Sequence, residues 1–210
     1  RRPPRSTPLY SSAASDVYKR QLLQDANRFL RQKNYSLAAQ TFEEIDKQHP
    51  YSKMAKKSKV MAAYAHYMNK EYADSVFAID RFISLHPADR AMMPYVLYLK
   101  GLCHFDRIDN VSLDQEPAQN TKRVFEELIK KFPNSEYVDD AEQRMRHLRN
   151  NLASNEVFVA TYYMRRGAFL AAANRARYVI ENYNSTTVVH EAHVIMARAY
   201  RNLEMEDLAR

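Results

Sequence analysis

The sequence predicts an all-α protein assembled from tandem helical hairpins. Three observations predict it. Glycine occurs only at Gly101 and Gly167 in 210 residues, which excludes phosphate-cradling and dinucleotide-binding turns that need several close glycines. Neither glycine follows Asn or Asp, so the tight turns of antiparallel sheets lack their usual dipeptides. Small and apolar residues instead recur with helical spacing in four segments, each closed by a helix-stopping residue.

Those segments share offsets of four and then three residues, with a stop five positions on. They are Ala38, Phe42 and Ile45 before Pro50; Ser75, Ile79 and Phe82 before Pro87; Thr121, Phe125 and Leu128 before Pro133; and Ala172, Ala176 and Val179 before Asn184. Such spacing puts each trio on one helical face, and proline cannot continue the helix. Twelve residues ahead of three trios stands a small residue, Ala26, Ala63 or Ala160, and Ala197 and Ala209 repeat the interval. A small side chain there lets the preceding helix approach closely. Phe29, His66, Tyr163 and Tyr200 follow three positions later. The combined pattern resembles the tetratricopeptide repeat, a helix–turn–helix unit of about 34 residues. The expected architecture is a right-handed superhelical solenoid of about five repeats, the last cut short at Arg210.

The stops lie 37, 46 and 51 residues apart, so material is inserted between repeats. The third repeat opens with Tyr95–Phe105, where Gly101 takes the small position, and continues into a polar stretch over 106–120. An extra helix is expected before the fourth repeat, with Tyr137, Ala141, Met145, Leu148 and Leu152 on one face. Residues 1–15 match nothing else in the chain and read as a non-native or disordered leader. Residues 16–210 read as a single solenoid, with N-terminal repeats over about 18–133 and C-terminal repeats over about 134–210.

The net charge of +7 is unevenly held. Arg1, Arg2, Arg5, Lys19 and Arg20 against Asp16 account for +4 of it, and the remaining +3 is spread among interleaved signs. That is a solvated surface rather than a nucleic-acid footprint. One cysteine, Cys103, excludes an intramolecular disulfide framework. No apolar run approaches the roughly 20 residues of a membrane span, and the start has no apolar core of a signal peptide.

Catalytic and metal chemistry find no support. His190 and His193 are three apart, whereas the zinc-protease pattern needs four with Glu between. His49 and His86 precede stop prolines, and His66 holds a repeat packing position. Cys103 reads as a buried packing residue. Carboxylate pairs such as Glu43 with Glu44 and Glu126 with Glu127 belong to exposed helix faces. No enzyme, cofactor or metal site is expected. The 15 tyrosines point elsewhere. First helices of the second and third repeats carry Val60, Tyr64, Tyr67 and Met68, then Tyr95, Tyr98, Leu102 and Phe105. If these helices line a concave face, tyrosine with methionine makes an adaptable peptide groove that can still hydrogen-bond.

Longer matches narrow the reading. Ile79-Asp80-Arg81-Phe82-Ile83-Ser84-Leu85-His86-Pro87 and Tyr95-Val96-Leu97-Tyr98-Leu99-Lys100-Gly101-Leu102 resemble central repeats of the BamD family, the tetratricopeptide lipoproteins of the outer-membrane β-barrel assembly machine. Phe132-Pro133-Asn134-Ser135-Glu136-Tyr137 and Val159-Ala160-Thr161-Tyr162-Tyr163-Met164-Arg165-Arg166-Gly167-Ala168-Phe169, with Asn174-Arg175, continue the resemblance in order over about residues 20–210. It implies a non-enzymatic periplasmic subunit on the outer membrane, tethered by a lipidated N-terminal Cys. It implies N-terminal repeats that bind unfolded barrel precursors and C-terminal repeats that dock on a POTRA domain of BamA, beside other lipoproteins of the complex. The family's BamA-contacting arginine falls on Arg175, with Arg166 as a second candidate; arginine's planar fork suits carboxylate recognition. The lipid-bearing Cys and signal peptide are not in this sequence, and 106–120 is shorter than the corresponding loop of some members. The alternative is another tetratricopeptide adaptor of the cell envelope or cytosol.

Overall fold

The computed structural model describes residues 10–48, 50, 52–108 and 115–204. Nine helices and no strands occur among them: α1 Tyr10–Arg31, α2 Tyr35–Gln48, α3 Lys53–Met68, α4 Tyr72–Leu85, α5 Met93–Phe105, α6 Gln115–Lys131, α7 Val138–Arg165, α8 Phe169–Asn182 and α9 Val189–Asn202. The four trios lie in α2, α4, α6 and α8, and all twelve of their residues are buried. This is the helical-repeat architecture that the offsets predict.

The turns inside the hairpins share one backbone device. Lys33, Lys70, Gly167 and Glu204 all adopt a left-handed conformation, with φ of 57°, 64°, 74° and 61°. Each stands seven residues after the small position of its repeat. In three of these turns the amide three residues past the helix end donates back to the carbonyl of the aromatic position: Asn34 to Phe29 at 2.9 Å, Glu71 to His66 at 2.9 Å, and Ala168 to Tyr163 at 3.0 Å. These are Schellman-type closures, made twice by lysine where glycine is the usual choice. That is how a hairpin array is built with so few glycines.

Two compact units divide the chain, Arg1–Cys103 and His104–Arg210. In the first, Phe42 and Ile45 of α2 pack with Ala26 of α1 and Ala62 and Ala65 of α3. A second cluster joins Val60 and Ala63 of α3, Ile79 and Phe82 of α4, and Val96, Leu99 and Cys103 of α5. Ser75 is the polar member there: its Oγ donates to the Ala63 carbonyl at 2.8 Å and accepts from Cys103 Sγ at 3.2 Å. The second unit packs α7, α8 and α9 around Ala153, Ala160, Ala172, Ala173, Ala176, Ala192 and Ala199.

Two sequence expectations change. The extra helix and the first helix of the fourth repeat are one continuous α7, because no proline or glycine interrupts residues 138–165. The polar stretch is partly helical: α6 already begins at Gln115, with Pro117 in its first turn where a missing N–H costs nothing. Residues 1–9 of the expected leader and residues 205–210 lie outside the described residues, while α1 begins at Tyr10.

Candidate functional site

The first unit opens a cleft of about 340 Å³ between α2, α3 and α4. Its α3 edge carries Lys59, Ala62 and His66, spaced for one helical face. Glu43 and Asp46 come from α2, and Phe77 and Arg81 from α4. Charges there are paired across helices. Asp46 is engaged by Lys59, both buried, and lies 3.6 Å from Arg81. His66 Nδ1 is 2.7 Å from Glu71 and Nε2 is 3.0 Å from Glu43. An imidazole facing a carboxylate at both nitrogens donates twice only as the cation. Burial pulls its pKa down, but the bonds to Glu71 and Glu43 and their charges outweigh that, and the net direction is up. Glu71 moves the opposite way, held low chiefly by His66 with help from Asn69. Ligand atoms of His66, Glu71 and Asp74 lie within 4.8 Å of one another. The imidazole is committed to its two carboxylates, so the arrangement is an ion bridge from α2 through α3 to the start of α4. Phe77 at the rim is 72% exposed.

The tyrosine groove is only partly supported by this placement. Val60, 3% exposed, is a core residue and drops out of the lining, as does the buried Leu102. Val60 packs in the second core cluster with Ile79, Phe82 and Val96. Tyr64, Tyr67 and Tyr95 pack half-buried against the second core cluster, with the Tyr67 and Tyr72 rings 5.9 Å apart. Met68 and Tyr98 are half-buried. Phe105 belongs to the second unit, where the Arg144 guanidinium lies 5.2 Å from its ring. Sequence reasoning missed Lys59, Asp46, Phe77 and Arg81. For Asp46 and Lys59 the signal was a polar residue beside buried apolar ones, as Asp46 follows Ile45; the exposed Phe77 and Arg81 gave none.

In the second unit, Arg175 of α8 donates to Glu156 of α7 at 3.1 Å, with side chains 48% and 12% exposed. Arg166 caps α7, and its guanidinium sits 5.3 Å from the Tyr162 ring. Neither Arg166 nor the adjacent Arg165 has an acidic partner among the described residues. Phe158 (72% exposed), Tyr162 and Leu170 are also exposed in this unit. Phe158, Tyr162 and Arg165 recur at helical spacing on α7. His190 and His193 are exposed on α9.

A repeat fold with paired charges and exposed aromatics is compatible with many adaptors, so the family decides. The outer membrane lipoprotein family YfiO matches residues 15–210. This chain belongs to that family. An outer membrane protein assembly factor BamD of Neisseria gonorrhoeae is 39% identical over 199 residues, covering 90% of this chain and 74% of that protein. The BamD of Caulobacter vibrioides is 33% identical over 177 residues, covering 84% of this chain and 58% of that protein. The BamD of Vibrio cholerae is 32% identical over 202 residues, covering 91% and 83%. The YfiO description carries outer-membrane association, and none of the described helices is long and apolar enough to cross a membrane.

Proposed function

We propose that this chain is an outer-membrane protein assembly factor that works by binding alone. It holds unfolded barrel precursors on its first unit and docks on a POTRA domain of BamA through its second. In the natural protein a lipid anchor keeps it at the periplasmic face of the outer membrane, beside the other lipoproteins of the complex. The observation carrying this reading is the 39% identity to an assembly factor over 90% of the chain. Two features support the division of labour. Precursor segments are extended and carry apolar side chains, which suits the exposed Phe77 beside its charged cleft and the half-buried Tyr67, Met68 and Tyr98. A folded partner with surface carboxylates suits the Arg166 and Arg175 surface.

The two arginines enter docking from different states. Arg175 is already paired with Glu156, so a partner carboxylate must share or replace that bond. Arg166 has its ring contact and no acid among the described residues, so its guanidinium fork is open to a partner carboxylate. Titration calorimetry against the periplasmic domains of BamA should therefore show a larger loss for Arg166→Glu than for Arg175→Ala. Charge reversal adds repulsion to the lost contact. Wild-type heats from both variants would refute the assignment. Arg175→Glu is a poorer probe, because it would set a second carboxylate against Glu156.

A further inference from the structure

The middle of α7 carries an open cleft of about 450 Å³ that the assembly reading does not use. The α7 residues facing it run from Met145 through Leu148, Arg149 and Leu152 to Asn155 and Glu156. These eleven steps along the helix span about 16 Å at 1.5 Å each. An extended chain covers that length with about five residues. The start of α6 and the end of α8, with the turn after it, supply the walls.

Its chemistry is specific in two respects. Gln119, Asn155, Asn182 and Asn184 line it together with Leu152. A carboxamide offers both donor and acceptor, the complement of a peptide unit. Its charges are also unequal. Glu156 is occupied by Arg175, and Lys122 lies 3.9 Å from Glu126, whereas Arg149 is exposed with no acidic partner among the described residues. Tyr183 lines the turn end of the cleft, its hydroxyl hydrogen-bonded with Tyr178 and its pKa pushed up to about 12, by burial first and then by Tyr178 and Glu156.

We infer that this cleft binds a linear, extended segment of another protein, about five residues long, alternating acidic with apolar side chains. The Asn155 carboxamide and the Asn182 side-chain oxygen hold its main chain (the Asn182 amide already donates to the Tyr178 carbonyl), Leu152 receives an apolar side chain, and Arg149 takes its carboxylate. The site is separate from the first unit's cleft and does not rest on the assembly reading.

The test is fluorescence anisotropy of the full chain with two labelled pentapeptides, one alternating leucine with aspartate and one alternating leucine with lysine. Wild type should bind the aspartate peptide about tenfold more tightly than the lysine peptide. Arg149→Glu should reverse that preference at unchanged helicity. Asn155→Ala with Asn182→Ala should weaken both peptides, and Phe77→Ala in the first unit should alter neither. Failure of either peptide to bind, equal binding of the two, or an unchanged preference in Arg149→Glu would overturn the inference. A wild-type chain that shows the peptide preference but does not bind the periplasmic domains of BamA would count against the assembly reading alone.

Discussion

The two units hold their helices together by different means. The first joins helices through charge: His66 to Glu43 and Glu71, Lys59 and Arg81 to Asp46, Lys56 to Asp89, and Lys100 to Asp80 at 2.5 Å. Its cores are filled by large side chains, Phe42 and Phe82 above all. In the second unit most ion pairs run within one helix at four-residue spacing, as in Lys131 with Glu127 and Arg144 with Asp140. Its α7–α9 core is mainly alanine, so those helices are held by close approach, with Arg175 to Glu156 and Arg177 to Tyr200 as cross-helix polar contacts. One repeat offset therefore supports two packing solutions: small residues at the trio positions bring backbones together, and larger ones leave room for polar bridges.

The contrast sets the size and sign of substitutions. Phe82→Ala should cost about 3–5 kcal/mol, because it empties a filled core. Ala176→Leu should cost about 1–3 kcal/mol for the opposite reason, since there is no room for added volume. Urea denaturation reads both, and a tolerated leucine at 176 would break the close-approach account. The shared left-handed turns give a smaller pair. Gly167→Ala meets no atom within 4 Å, so its cost is backbone strain alone, about 1 kcal/mol. Lys70→Gly should gain somewhat less than about 1 kcal/mol by relieving the same strain.

The shallowest effect is with pH. His66 is raised in the folded state, so its stabilisation is complete below the ordinary value of 6.5 and fades as pH rises through the folded pKa. Glu71 is lowered, so its share is present above 4.5 and fades as pH falls through its folded pKa. The bridge is strongest between those limits. Melting temperatures from pH 6 to 9 should fall more steeply for wild type than for His66→Gln; parallel curves would remove the bridge from the account.

Much of the fold was legible because it is written in periodic, short-range terms. The trios, the small positions and the stop prolines each follow from helix geometry. The continuity of α7 was not legible because the repeat pattern restarts at Ala160, and nothing local shows that the apolar face ending at Leu152 runs on into the same helix. The site was less legible. Tyrosines at 64, 67 and 95 could be placed on first helices, but which face opens to solvent depends on three helices at once, and the open cleft uses residues 59, 62 and 66 instead. Arg175 was found from its place in a motif; its pairing with Glu156, nineteen residues away, is a tertiary fact.

The central claim is that each unit serves its own partner. One set of titrations tests it directly, with wild type, Phe77→Ala and Arg166→Glu each measured against an unfolded barrel-precursor peptide and against the periplasmic domains of BamA. Phe77→Ala should weaken precursor binding and leave BamA binding intact, and Arg166→Glu should do the reverse. A variant that lowers both affinities, or a pair that lowers neither, would contradict it.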